Sequence, residues 1–209
     1  MKWLGTKRRN AILALFAVAA SAAPSLAADP RYPDWPCAQA KVPEISLAAV
    51  WAGPPLDDAA KAWANDPKIK DLVPRLAARR VPIEDAQKLT ADFMTGSAAE
   101  REAKGKLLFA GVFERLNAER GEVMTGIERL ARKQKDMADK IRESVIALHK
   151  VQDMPAPEPA KLEELSRQVE WSTRIFEDRR KTVRFVCEVP VLIEQRLGAL
   201  ARAIQQGME

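Results

Sequence analysis

From Phe109 to Ile204 the apolar positions fall into two long rows. The first is Phe109, Phe113, Leu116, Val123, Ile127, Leu130, Met137, Ile141 and Leu148; its steps alternate between four and three once Arg120, Gln134 and Ser144 are counted in. The second is Leu162, Leu165, Val169, Phe176, Val183, Val186, Ile193, Leu197, Leu200 and Ile204, with Ser172, Arg179 and Pro190 in the remaining slots. Such spacing keeps one stripe of a helix turned toward a partner helix, the signature of a coiled coil. Between the rows lies Met154-Pro155-Ala156-Pro157-Glu158-Pro159, whose prolines continue neither helix. The pattern predicts an antiparallel hairpin. Positions whose numbers sum to 313 match seam to seam, for example Leu148 with Leu165, Met137 with Phe176, Leu130 with Val183 and Leu116 with Leu197. In that register Gln134 faces Arg179, a polar seam layer of the kind that fixes register at some cost in stability. Pro190 falls opposite Val123 and is expected to kink the second helix.

The first long helix begins at Ser97, where Ser-x-x-Glu to Glu100 is a capping box just after Gly96. Nothing breaks it before Val151. Gly105, Gly111, Gly121 and Gly126 lie inside it, off the seam. Either another segment crosses closely there or a well-supported helix tolerates them. Upstream the periods shorten. Asp57 to Asn65 is a short helix carrying Trp63. Asp66-Pro67 reads as an N-cap and first helical residue, followed by an apolar face of Ile69, Leu72, Val73 and Leu76 that Pro74 is expected to interrupt or kink. A further helix restarts at Val81-Pro82, with Glu84 and Asp85 in its first turn and Ile83, Ala86, Leu89 and Phe93 on its face. Residues 29–56 hold six prolines among Tyr32, Trp35 and Trp51, which predicts an irregular segment; it is either a proline-rich ligand for a partner domain or, as Cys37 within it favours, a wrap over the chain's own helices. β-branched residues form no alternating runs. The expected fold is all-α: a long antiparallel coiled-coil helical hairpin over 97–209 with its turn at 153–160, a small N-terminal helical module (57–96) packed near its base, and an irregular Pro-rich segment (29–56).

Residues 1–28 follow another logic. Lys2, Lys7, Arg8 and Arg9 precede a short apolar run, Ala11 to Ala20, and a small-residue stretch ending in Ser25-Leu26-Ala27. This is the layout of a cleaved signal peptide, with cleavage after Ala27 or Ala28; the run is shorter than the roughly 20 residues of a comfortable membrane span. The expected location is periplasmic or secreted, with no integral membrane span after cleavage. Arg8-Arg9 leaves both the general and the twin-arginine route open. Cleavage also changes the charge. The chain has 34 basic and 29 acidic residues, but four of the basic ones and none of the acidic ones lie in this segment, leaving a balance of +1. The basic excess thus belongs to the export signal and gives no support for nucleic-acid binding. Both cysteines, Cys37 and Cys187, lie beyond it, and an even count in an oxidising compartment favours a disulfide between them.

Candidate chemistry is sparse. His149 is the sole histidine, placed off the seam beside the turn, with no cluster at zinc-ligand spacing. No glycine-rich phosphate loop, Gly-x-Ser-x-Gly elbow or Cys-x-x-Cys pair is present. The acidic pairs Asp57-Asp58 and Glu163-Glu164 sit at helix starts, where capping accounts for them. No catalytic, cofactor or metal site is assigned, and the reading leans away from an enzyme. Trp63 and Trp171 are candidate contact residues; Trp171 lies outside the seam, so another segment covers it or it is an exposed anchor. Two functions follow as expectations. The first is an exported, non-enzymatic hairpin that binds another protein or itself as an interaction or scaffold factor. The alternative is a ligand-binding helical bundle with a pocket lined by Trp63, Trp171 and Phe93, between the N-terminal helices and the hairpin.

Overall fold

A computed structural model describes residues 29–209. The export segment expected over residues 1–28 lies outside the described residues. After an irregular strap come α1 (Leu47–Val50), α2 (Ala59–Ala62) with a following 3-10 turn (Trp63–Asn65), α3 (Pro67–Ala77), α4 (Ile83–Phe93), α5 (Ala98–Gln152) and α6 (Pro159–Met208). No strand forms among the described residues, and α5 and α6 pack along each other as an antiparallel hairpin. The expected all-α hairpin architecture is what the chain adopts.

Local chemistry explains where the elements start. The Ser97 amide donates to Glu100 Oε2 at 2.8 Å and the Glu100 amide donates to Ser97 Oγ at 3.4 Å, closing the capping box that opens α5. The preceding Gly96 turns at φ +114°, a conformation side chains resist. Asp66 accepts from the amides of Lys68 and Ile69 and so caps α3, with Pro67 in its first turn. Pro74 does not end α3, which runs on to Ala77. Its side chain is exposed, and so is Lys70, whose carbonyl loses a donor but stays within reach of water. α6 likewise continues through the buried Pro190 to Met208.

The core fills only the lower half of the hairpin. Leu108, Phe109, Val112 and Leu116 of α5 meet Ile193, Leu197, Leu200 and Ile204 of α6. Ile69, Val73 and Leu76 of α3 and Ala86 of α4 complete that core. Trp51, at the end of α1, stacks on Phe109, with centroids 4.0 Å apart and planes 10° from parallel. Buried residues stop at Ala131 on α5 and begin at Cys187 on α6. Beyond that level the apolar seam is half-buried, with the start of the strap reaching as far as Lys135 and Ala138. With 55 residues in α5, the hairpin is about 80 Å long at about 1.5 Å per residue.

Two layers cover the base from opposite sides. With the seam written as heptad positions a and d, the flanking positions e and g define the two faces. The strap runs along the e face. Cys37 is disulfide-bonded to Cys187, at an e position, with the Cα atoms 5.6 Å apart across a separation of 150 residues. Gln39 donates to the Cys187 carbonyl at 2.5 Å, Lys41 pairs with Glu128 at 2.6 Å, and Asp34 meets Lys135 at 3.0 Å and Arg132 at 3.4 Å. Helices α3 and α4 lie on the g face. Arg79 pairs with Glu119 there, and Arg196 donates to the carbonyls of Leu76 and Val81 at 2.6 and 2.9 Å. The seam residue Arg120 is buried between the layers, donating to Glu194 at 2.5 Å and to the Pro43 carbonyl at 3.3 Å.

The glycines of α5 divide along the same lines. A Cβ on Gly111 would sit 2.7 Å from both Trp63 Cε3 and Val73 Cγ2, and one on Gly105 would sit 2.5 Å from Met208 Sδ. Nothing lies within 4 Å of the corresponding positions on Gly121 and Gly126. Close crossing explains the first pair; open space surrounds the second.

Candidate interaction surface

The residues singled out in the sequence part company in the structure. Trp63 is half-buried, its ring against Gly111 and its Nε1 donating to Glu114 Oε2 at 2.7 Å. Its work is to seat the N-terminal module on α5. Phe93 is half-buried, with Lys104 Nζ 5.7 Å from its ring centre. Trp171 stands far from both. In the 313 register Gly111 lies opposite Arg202, 31 residues along α6 from Trp171, which is about 46 Å of helix. The three aromatics therefore do not line one pocket. The Gln134–Arg179 layer also resolves differently. Gln134 Nε2 donates to the Phe176 carbonyl at 3.2 Å, one turn from the expected partner, and its Oε1 is buried without a partner. The Arg179 side chain is exposed, because its long stem lets the guanidinium reach water from a seam position. His149 is exposed beside the turn. Among the described residues no group of three or more His, Cys, Asp and Glu is placed to hold a metal ion, and no helix is long and apolar enough to cross a membrane.

What sequence reading missed is a second apolar row on α6. Positions c and g follow the same 3-4 spacing as the seam, one strip further round: Trp171, Ile175, Phe185, Val189, Leu192 and Ala199, with Asp178, Thr182 and Arg196 interposed. The lower end of this row is occupied. Helix α4 packs on α6, and its first residue, Ile83, shares a cleft of about 440 Å³ with Leu192, Arg196 and Ala199. Above Leu192 no element of the described chain follows. Trp171 is 64% exposed, Phe185 69% and Leu192 50%, which for large apolar side chains spaced along one helix face is a standing cost of hydration.

No family model, curated protein or solved structure matches this chain. The reading of its surface therefore rests on its own residues.

Both signs of charge border the open row, and those on the α5 positions nearest the groove are positive. Arg174 lies on its outer edge and Arg179 on its seam side, and Lys133 and Lys140 stand on the g positions of α5 across the groove. All four are exposed, and among the described residues none is within ion-pair distance of an acid, while the exposed acids Asp136 and Glu143 stand one strip further from the groove on α5 and Glu188 on the outer edge of the row. Asp178, the acid within the row, is held by Lys181 of its own helix at 3.2 Å. A different concavity lies at the base on the strap side. It is a groove of about 710 Å³ floored by Leu47, Leu56, Ala110 and Phe113, with Glu114 and Asn117 at its edge.

Proposed function

We propose that this chain is an exported, non-enzymatic helical-hairpin protein that works by binding another protein along the distal part of its hairpin. The observation that carries the reading is the second apolar row of α6, which receives α4 at its lower end and then continues uncovered through Phe185 to Trp171. A row already used for helix packing inside the fold is shaped for more of the same. Export is supported by the Cys37–Cys187 disulfide, a bond that oxidising compartments sustain. The test places a photo-crosslinking residue, in cells, at Trp171, at Phe185 and at Arg75 on the outer side of α3. One adduct mass shared by the two arm positions and absent from position 75 is expected. Absence of adducts from both arm positions, with the disulfide formed, would sink the proposal.

A small-ligand-binding bundle is the second reading. The groove between the strap and α5 favours it, since its apolar floor and its polar Glu114–Asn117 edge suit an amphiphile. Trp63 donates to the groove residue Glu114, so its fluorescence titrated against a metabolite panel separates the readings. A saturable change there with no arm crosslinks would replace the first reading with this one.

A further inference from the structure

The arm's exposed row points to one kind of partner. We infer that it receives an amphipathic helix from another protein, about 20 residues long and flanked by acidic side chains, laid end to end with α4 on α6. The inference rests on the proposed function and narrows it. Its length comes from the row: Trp171 and Leu192 are 21 positions apart, about 31 Å of helix. Its apolar spacing comes from continuity with the α4 interface, since the same c and g positions are used above and below Leu192. Its charge comes from the flanks. A helix resting in the groove between the α6 row and α5 has Arg174 on its outer side, Lys133 and Lys140 on the α5 side and the seam residue Arg179 beneath it. Acidic residues beside its apolar stripe would pair with both sides, and basic ones would be repelled by both.

Two other occupants fit less well. A second copy of this chain, pairing its own α6 row antiparallel so that Trp171 meets Phe185, sets Asp178 against Asp178 at the axis and cation flank against cation flank. Sliding the pair until Phe185 meets Leu192 carries Asp178 to Ala199, where α4 already packs. An anionic bilayer would attract the aromatics and cations, but a flat surface meets the crest of α6 and brings Asp178 with it. The groove toward α5 would stay empty.

The test uses the purified protein and two synthetic fluorescein-labelled peptides of 21 residues. Both carry leucines at heptad a and d positions; one has glutamates at the flanking positions and the other lysines. Fluorescence anisotropy is expected to show the glutamate peptide binding at least tenfold more tightly, with the affinity falling as salt is raised. Phe185→Ser and the pair Lys133→Glu with Lys140→Glu should each weaken it at least tenfold, whereas Lys68→Glu on α3 should leave it unchanged. Circular dichroism and the intact disulfide report that each variant is folded. Equal binding of the two peptides, binding of neither, cosedimentation with phosphatidylglycerol vesicles in place of peptide binding, or dimerisation abolished by Phe185→Ser would each overturn the inference. If arm crosslinks persist while the peptide preference fails, this inference falls and the proposed function stands; if the crosslinks fail as well, both fall.

Discussion

Replacing Gly111 by alanine is a sharp test of how the base is assembled, because the same change at Gly126 should have the opposite sign. Both glycines lie well inside α5, so each substitution gains the same helix propensity, about 1 kcal/mol. They differ in what the new methyl meets. At Gly111 it would come within 2.7 Å of Trp63 Cε3 and Val73 Cγ2, whereas at Gly126 nothing lies within 4 Å. Neither neighbour yields easily: Val73 is 1% exposed, and the Trp63 indole is pinned through its hydrogen bond to Glu114. Overpacking of this kind costs about 1–3 kcal/mol. Gly111→Ala should therefore destabilise by up to about 2 kcal/mol once the propensity gain is deducted, and Gly126→Ala should stabilise by up to about 1 kcal/mol. The difference between the two, about 1–3 kcal/mol, isolates the contact because the propensity term cancels. Urea denaturation with an unchanged m-value measures it. Adding Trp63→Ala should shrink the Gly111→Ala penalty, as expected for residues in contact. If Gly111→Ala proves as stabilising as Gly126→Ala, Trp63 does not lie on α5 at that level, and the seating of the N-terminal module is wrong.

Replacing Cys37 and Cys187 together by serine opens a loop of 150 residues and should cost about 5 kcal/mol on the chain-entropy model. Thermal denaturation without reductant should show a melting temperature about 10–20 °C lower; an unchanged value would mean the strap contributes nothing to the folded state. Acid should loosen the strap at Asp34. The hydrogen bond from Lys135, and then that from Arg132, holds this carboxyl below the usual carboxylate range. Its stabilising contribution is therefore complete above about pH 4 and lost as pH falls through the lowered folded value. The indole NMR signal of Trp35, which donates to the Gln39 carbonyl, should report the change, and Asp34→Asn should remove its dependence on acid.

The hairpin was legible in the sequence because its seam repeats a simple period for many turns, and a Pro-rich turn fixes the direction of return. The disulfide was legible because an even pair of cysteines followed an export-like segment. Less of the candidate surface could be read. Periodicity assigns a Cα to a slot but does not say where a long side chain leads, so Arg179 reads as buried and stands in solvent. The second row on α6 hides because Asp178, Thr182 and Arg196 break its apolar run; it becomes visible only once α4 is seen to use its lower half. Trp63 had a signal in Gly111, a glycine off the seam where an indole crosses, yet no rule of spacing connects residues 63 and 111 in advance. The strap and the α3–α4 layer take opposite faces through ion pairs and backbone contacts between segments distant in the chain, which no local pattern encodes.

The strap also gives the hairpin a mechanical division. It is joined covalently to α6 at Cys187 and by ion pairs to α5 at Glu128, Arg132 and Lys135, so it spans the seam like a staple. That staple sits where the buried residues of the hairpin give way to a half-buried seam. A pull on the turn at residues 153–158 would peel the two helices apart through half-buried layers until it reached this level, roughly 30 Å down from Gln152 to Ala131. There the load would pass into the crosslinked strap before it reached the core around Phe109. The arm can yield while the base holds its shape.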